Sequence, residues 1–177
     1  MRKKFAVLYS LIFLFILIPS FGVKASEGLP DEDGLEKTLI SSVSYYDEDT
    51  DSMVCERTYL IGSANQGDIT RDPSGYGTYR NEKTHTWDGG EIMTYYAQGY
   101  FVWGNGSVSV SNPTGGVYGY PSTVTVSNIN LSSGTGHYLY VFNQYAYVTY
   151  SFDTTNMVGM DRSWSVTIRI SQSGNNI

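Results

Sequence analysis

Few side chains in this sequence are equipped for covalent chemistry. There is one cysteine, Cys55, and two histidines, His85 in KTHTW and His137 in GTGHY. A thiol nucleophile needs a histidine to activate it and usually a third group to orient the imidazole. Cys55 lies instead within MVCERTYLI, a β-branched and aromatic run where a small uncharged thiol is expected to pack in the core. No GxSxG elbow, HExxH motif or glycine-rich phosphate loop is present, and two separated histidines make no zinc site.

Carboxylates offer more. Asp47, Glu48, Asp49 and Asp51 cluster in DEDTD, while Asp68, Asp72, Glu82, Asp88 and Glu91 lie in or beside the stretch from Asn65 to Gly90. A glycosidase holds two such groups roughly 5–10 Å apart across a cleft. A secreted hydrolase using loop carboxylates is therefore one function class. Asp47, Asp49 and Asp51 also match the first three ligand positions of an Asp-x-Asp-x-Asp calcium loop. Ser52 then stands where that loop needs glycine, and no bidentate glutamate follows at the required offset. A solvated turn is the first reading, with calcium the second and no other cofactor expected.

Tyrosine is the commonest aromatic, with 16 in the chain. NQYAYVTYSF, from Asn143 to Phe152, alternates so that Ala146, Val148, Tyr150 and Phe152 share one strand face. Tyr145, Tyr147 and Thr149 share the other, which ordinarily meets water. Tyr96 and Tyr100 likewise oppose the face of Phe101 and Trp103. A flat apolar ring with a polar tip suits stacking against sugars or a protein partner. The structural alternatives are cross-strand pairs that stabilise open sheet, or rings covered by the 65–90 stretch.

These residues need a scaffold, and the sequence specifies one. Arg2, Lys3 and Lys4 precede an apolar run from Phe5 to Ile18, and Val23-Lys24-Ala25 ends in small residues: a secretory signal, expected to be cleaved after Ala25. Its apolar part is short for a membrane span, so no span is expected after its removal. Residues 26–37 form a short, acidic, flexible leader, 38–172 one domain, and 173–177 a polar tail. Losing Arg2, Lys3, Lys4 and Lys24 leaves seven basic against 17 acidic residues, a net charge of −10. Such a chain repels phosphate backbones, which argues against nucleic-acid partners. The single cysteine excludes an internal disulfide and points to a bacterial exporter.

From Thr38 onward the pattern is short β-branched and aromatic runs divided by turn clusters, with no three turns of helical spacing. Strands are expected over Leu39 to Tyr46, Met53 to Ile61, Ile92 to Trp103, Ser107 to Ser111, Thr123 to Ile129, His137 to Phe142, Gln144 to Phe152 and Ser163 to Ser171. Asn65 to Gly90 reads mostly as loop. The type I′ signal Asn105-Gly106 predicts a hairpin pairing Gly104 with Ser107, Trp103 with Val108, Val102 with Ser109, and Phe101 with Val110. In SWSVTIRIS, Trp164, Val166, Ile168 and Ile170 face the core.

The expected protein is an all-β, single antiparallel β-sandwich of about eight strands, secreted and extracellular. Its leading function is non-catalytic binding of a glycan or protein surface through Tyr145 and Tyr147, with Tyr96 and Tyr100 as neighbours. A hydrolase, or a bacteriocin-like or toxin effector, is the alternative.

Overall fold

The computed structural model describes residues 36–66, 74–138 and 141–177. The residues expected to form a signal peptide, and most of the expected leader, lie outside the described residues. Eight antiparallel strands form two sheets, and among the described residues there is no helix. The first sheet is a five-stranded meander in chain order: β1 (Lys37–Asp47), β2 (Ser52–Gln66), β3 (Gly75–Thr86), β4 (Ile92–Gly104) and β5 (Ser107–Tyr118). The second is a three-stranded meander of β6 (Thr125–Tyr138), β7 (Val141–Thr155) and β8 (Asp161–Ser171).

Period-two alternation decides what each strand buries. On β4 the inward residues are Met93, Tyr95, Ala97, Phe101 and Trp103, on β7 Ala146, Val148, Tyr150 and Phe152, and on β8 Trp164, Val166, Ile168 and Ile170; all are buried. Together they make one core between the sheets. β5 lies over β6 and β7, β4 over β7 and β8, and β3 over β8. The smaller sheet reaches no further, so β1 overhangs it.

The hairpin at Asn105-Gly106 has the expected register at all four pairs, from Gly104↔Ser107 to Phe101↔Val110. Asn105 and Gly106 have φ of 51° and 70°, as a type I′ turn requires. Three other strand expectations change. The stretch from 65 to 90 contains β3, a 12-residue strand. Its middle, Arg80-Asn81-Glu82-Lys83, is polar on both faces, so no apolar alternation betrays it. His137 to Phe142 is not a separate strand: β6 runs through NINLSSGTGHY to Tyr138, and β7 begins at Val141. β5 continues past Ser111 to Tyr118, taking Asn112 at φ 49° and Pro113, both tolerable on an edge strand. Cys55 is also not a core residue. It alternates with buried Val54, is half-buried on the outer face, and its Sγ lies 3.8 Å from Ser42 Oγ.

The polar C-terminus closes one end of the core. Asn176 bridges Ile170 and donates to Thr58 Oγ1 at 3.1 Å, which brings Gly174 under the Trp103 ring. Glycine is equally required between the sheets. A Cβ on Gly115 would lie 2.7 Å from Tyr150 Cβ and Cγ, atoms anchored in a buried strand. On Gly136 it would meet the far end of the half-buried Tyr145 ring, Cζ and Oη, rather than atoms next to the backbone. Gly115→Ala should therefore cost about 1–3 kcal/mol by overpacking, and Gly136→Ala distinctly less. Urea unfolding of the two variants checks the order, and equal losses would contradict it.

Candidate functional site

β7 presents Tyr145 and Tyr147 on the outer face of the three-stranded sheet, both half-buried. They are joined by Tyr138, which sequence reasoning missed. The centroid distances are 5.1 Å from Tyr138 to Tyr145 and 6.3 Å from Tyr145 to Tyr147, so the three rings form a ladder. Register explains their pose, because Tyr145 is opposite Gly136 and Tyr147 opposite Gly134. With no Cβ beneath them the rings settle over β6: a Cβ at Gly136 would be 2.5 Å from Tyr145 Cζ, and one at Gly134 3.2 Å from Tyr147 Oη. Tyr145 and Tyr147 thus lie against the β6 backbone while keeping part of their surface in solvent. Across β8 the same face carries Arg169 and Thr167, and Thr149 and Thr167 share a 2.8 Å hydroxyl contact. Within the 65–90 stretch, β3 belongs to the other sheet and does not cover this ladder.

Tyr96 and Tyr100 do not join it. They lie on the outer face of the five-stranded sheet, on the opposite side of the sandwich. Tyr96 lies across Gly116 and takes the Arg80 guanidinium on its face, 3.8 Å from the ring centroid. Arg80 in turn pairs with Glu82 at 3.3 Å, and Lys37 reaches the same carboxylate at 3.4 Å. Tyr100 packs against Tyr76 at 5.9 Å. These two rings hold together a buried charge cluster and a strand pair.

The acidic turn is built from internal hydrogen bonds. Asp47 accepts from the Asp49 N–H at 3.1 Å, and Tyr46 donates its hydroxyl to Asp51. Among the described residues no three His, Cys, Asp or Glu side chains are placed to hold a metal ion. Hydrogen bonding to Thr50 and to the Asp49 amide holds the Asp47 carboxyl below its usual range. That is the wrong direction for an acid that must protonate a leaving group. Of the other candidate carboxylates, Asp68 and Asp72 lie outside the described residues, and Glu82 is committed to its cations.

The arrangement that most resembles a nucleophile and base was not legible as one. Ser52 Oγ lies 2.9 Å from His85 Nδ1, and Tyr95 Oη lies 3.1 Å from Nε2. Thr50 Oγ1 extends the chain at 2.7 Å from Ser52 Oγ. Access rules out acyl transfer in this conformation. Ser52 is 1% exposed, and the imidazole is stacked between Trp87 and Tyr95 with the Trp164 edge against it. This is a satisfied polar network inside an aromatic cage. Its members Thr50, His85 and Tyr95 also line an open cleft of about 340 Å³, together with Tyr45, Asp47, Lys83, Arg162 and Ser165.

Burial lowers the His85 pKa to about 4, partly countered by the Asp47 charge, and raises that of Tyr95. The folded imidazole is therefore neutral. An unfolded histidine binds its proton near pH 6.5, so between about pH 6.5 and 4 the unfolded chain holds more protons and acid favours unfolding. The loss amounts to at most about 3 kcal/mol at 1.4 kcal/mol per unit. In urea titrations across that window, wild type should lose stability more steeply than His85→Gln by up to this amount. Parallel slopes would show that His85 is not the buried neutral base.

No protein-family model, curated protein or solved structure matches this chain, so its function has to follow from these side chains themselves.

Proposed function

We propose that this is a secreted, non-catalytic binding protein of a bacterial exporter, and that it recognises a glycan through the Tyr138, Tyr145 and Tyr147 ladder. The observation that carries the reading is the seating of Tyr145 and Tyr147 on Gly136 and Gly134. Rings laid over backbone offer open faces to a sugar's apolar face, and their side-chain freedom is already spent before binding. Hydroxyls and a guanidinium beside them (Thr149, Thr167 and Arg169) supply partners for sugar hydroxyls. A protein surface is the competing ligand class. The apolar run after Arg2–Lys4 supports export of the chain. Among the described residues no helix is long and apolar enough to cross a membrane.

One observation favours the effector reading instead. The β7–β8 turn exposes Met157, Val158 and Met160 at 82%, 78% and 65%, an apolar tip of the kind that inserts into bilayers. Its setting opposes that role. Arg162 donates to the Asp49 carbonyl at 2.6 Å, tying this turn to the acidic one, which anionic lipid repels. Leakage from zwitterionic vesicles, abolished in Val158→Asp, would establish the effector reading.

The glycan reading is tested with immobilised cell-wall and plant polysaccharides. Tyr145→Ala/Tyr147→Ala should weaken retention at least tenfold, a change of about 1.4 kcal/mol, with its unfolding transition still cooperative. Tyr96→Ala/Tyr100→Ala, on the opposite face, should leave retention unchanged. A wild type retained by none of these surfaces, or a double variant retained equally well, would sink the proposal.

A further inference from the structure

The cleft beside His85 lies where the two sheets stop matching. β8, the last strand of the smaller sheet, lies over β3 and β4, while β2 and β1 continue beyond it. Register sets one side of the cleft. Tyr45 is opposite Val54 and Val54 opposite His85, so the three share the inner face, and Lys83 lies two residues before His85 on that face. β8 lines the other side with Arg162, Ser163 and Ser165. Two cross-links hold the β1–β2 turn between the sheets. Arg162 Nη2 donates to the Asp49 carbonyl at 2.6 Å, and Trp87 Nε1 donates to the Thr50 carbonyl at 2.9 Å. The walls are therefore in place before any ligand arrives, which lowers the entropic cost of binding.

Charge narrows the ligand. Asp47 and Asp49 stand against Lys83 and Arg162, and the buried His85 is neutral at physiological pH, so the formal charges of the lining cancel. Lys83 pairs with Glu56 at 3.5 Å, but among the described residues Asp47, Asp49 and Arg162 have no ion-pair partner. Opposite charges thus share one cleft without neutralising each other. Such a lining gives an ion no net attraction, yet it sets strong acceptors beside strong donors. Hydroxyl groups suit it, because each both donates and accepts, whereas a carboxylate only accepts and an ammonium only donates. An aromatic face accompanies these groups, since Tyr45 is 42% exposed.

We propose that this cleft is a second binding site, separate from the tyrosine ladder, which takes one or two rings of a neutral sugar. Asp47 and Asp49 accept from its hydroxyls, Arg162 and Lys83 donate to them, and Tyr45 meets its apolar face. Size agrees, because ligand clefts run from about 300 to 1,000 Å³ and this one lies at the small end. An acidic sugar would meet the two aspartates and a cationic amino sugar the two cations, each an unfavourable contact.

The three tryptophans make the test site-specific. Trp164 lines the cleft, Trp87 stacks on His85 beside it, and Trp103 sits at the other end of the core against Gly174. The chain from Ser26 is titrated with glucose, mannose, galactose and N-acetylglucosamine while the indole N–H resonances are followed by NMR. At least one sugar should shift the Trp164 resonance saturably and leave Trp103 in place. Tyr45→Ala/Asp49→Asn should weaken that binding by about tenfold or more. Both side chains are exposed, and the Asp49 carbonyl that Arg162 uses is kept. Tyr145→Ala/Tyr147→Ala should bind as wild type does, so the cleft and the ladder fail separately. The proposal is overturned if none of the four sugars moves Trp164 at its solubility limit, or if the ladder variant loses the shift. It is equally overturned if glycine or glucuronate moves Trp164 where the neutral sugars do not. Should the cleft variant fail to fold, the pattern of shifted indoles in wild type and in the ladder variant decides.

Discussion

An aromatic ring seated on a glycine is the contact on which most of this structure depends. Between the sheets Tyr150 rests on Gly115 so closely that a Cβ would fall 2.5 Å from Cδ2, and at one end Trp103 rests on Gly174 at the same distance from Cε2. Outside, Tyr145 rests on Gly136 and Tyr96 on Gly116. A glycine within a strand weakens it by about 0.5–1 kcal/mol relative to alanine. A ring laid into the gap restores the packing. The 19 glycines and 16 tyrosines of this chain are therefore partly two halves of one device. Inside, the device sets how closely the sheets approach. Outside, it sets which way a ring faces.

The unequal sheets impose a second constraint. Where β4 and β5 meet β7 and β8, the inner face is apolar. Toward β2 and β3 it turns polar: Asn81 donates to Glu56 at 2.7 Å and to the Thr167 carbonyl at 3.0 Å, and Lys83 pairs with Glu56 at 3.5 Å. Beyond β2 no strand of the smaller sheet lies over the larger one among the described residues, and Val43 and Tyr45 are exposed. His85 stands where cover runs out, enclosed by Trp87, Tyr95 and Trp164, with both ring nitrogens partnered. A buried imidazole so held disfavours other packings of this end, since each would strand a polar atom.

Much of the fold was legible because its signals are local. Asn105-Gly106 set a hairpin and its register, and the alternation of SWSVTIRIS and AYVTYSF named half the core. What failed to show is also physical. β3 hides because its charges are buried in pairs, and pairing partners are invisible along the chain. β6 hides because SSGTG supplies backbone to the ladder while β7 supplies the rings. Tyr138 was unreadable for the same reason, since its place beside Tyr145 depends on the β6–β7 pairing. Parity alone set Tyr96 and Tyr100 with Tyr145 and Tyr147, but parity does not say which sheet a strand joins.

A shallow row of half-buried rings loses most of its gross contact energy to the entropy of association. Weak sites of this kind discriminate by repetition, because a polymer with many equivalent segments can be rebound where a single soluble fragment escapes. With no deep apolar pocket and no primed nucleophile among the described residues, the proposed ladder is suited to a repetitive, extended ligand.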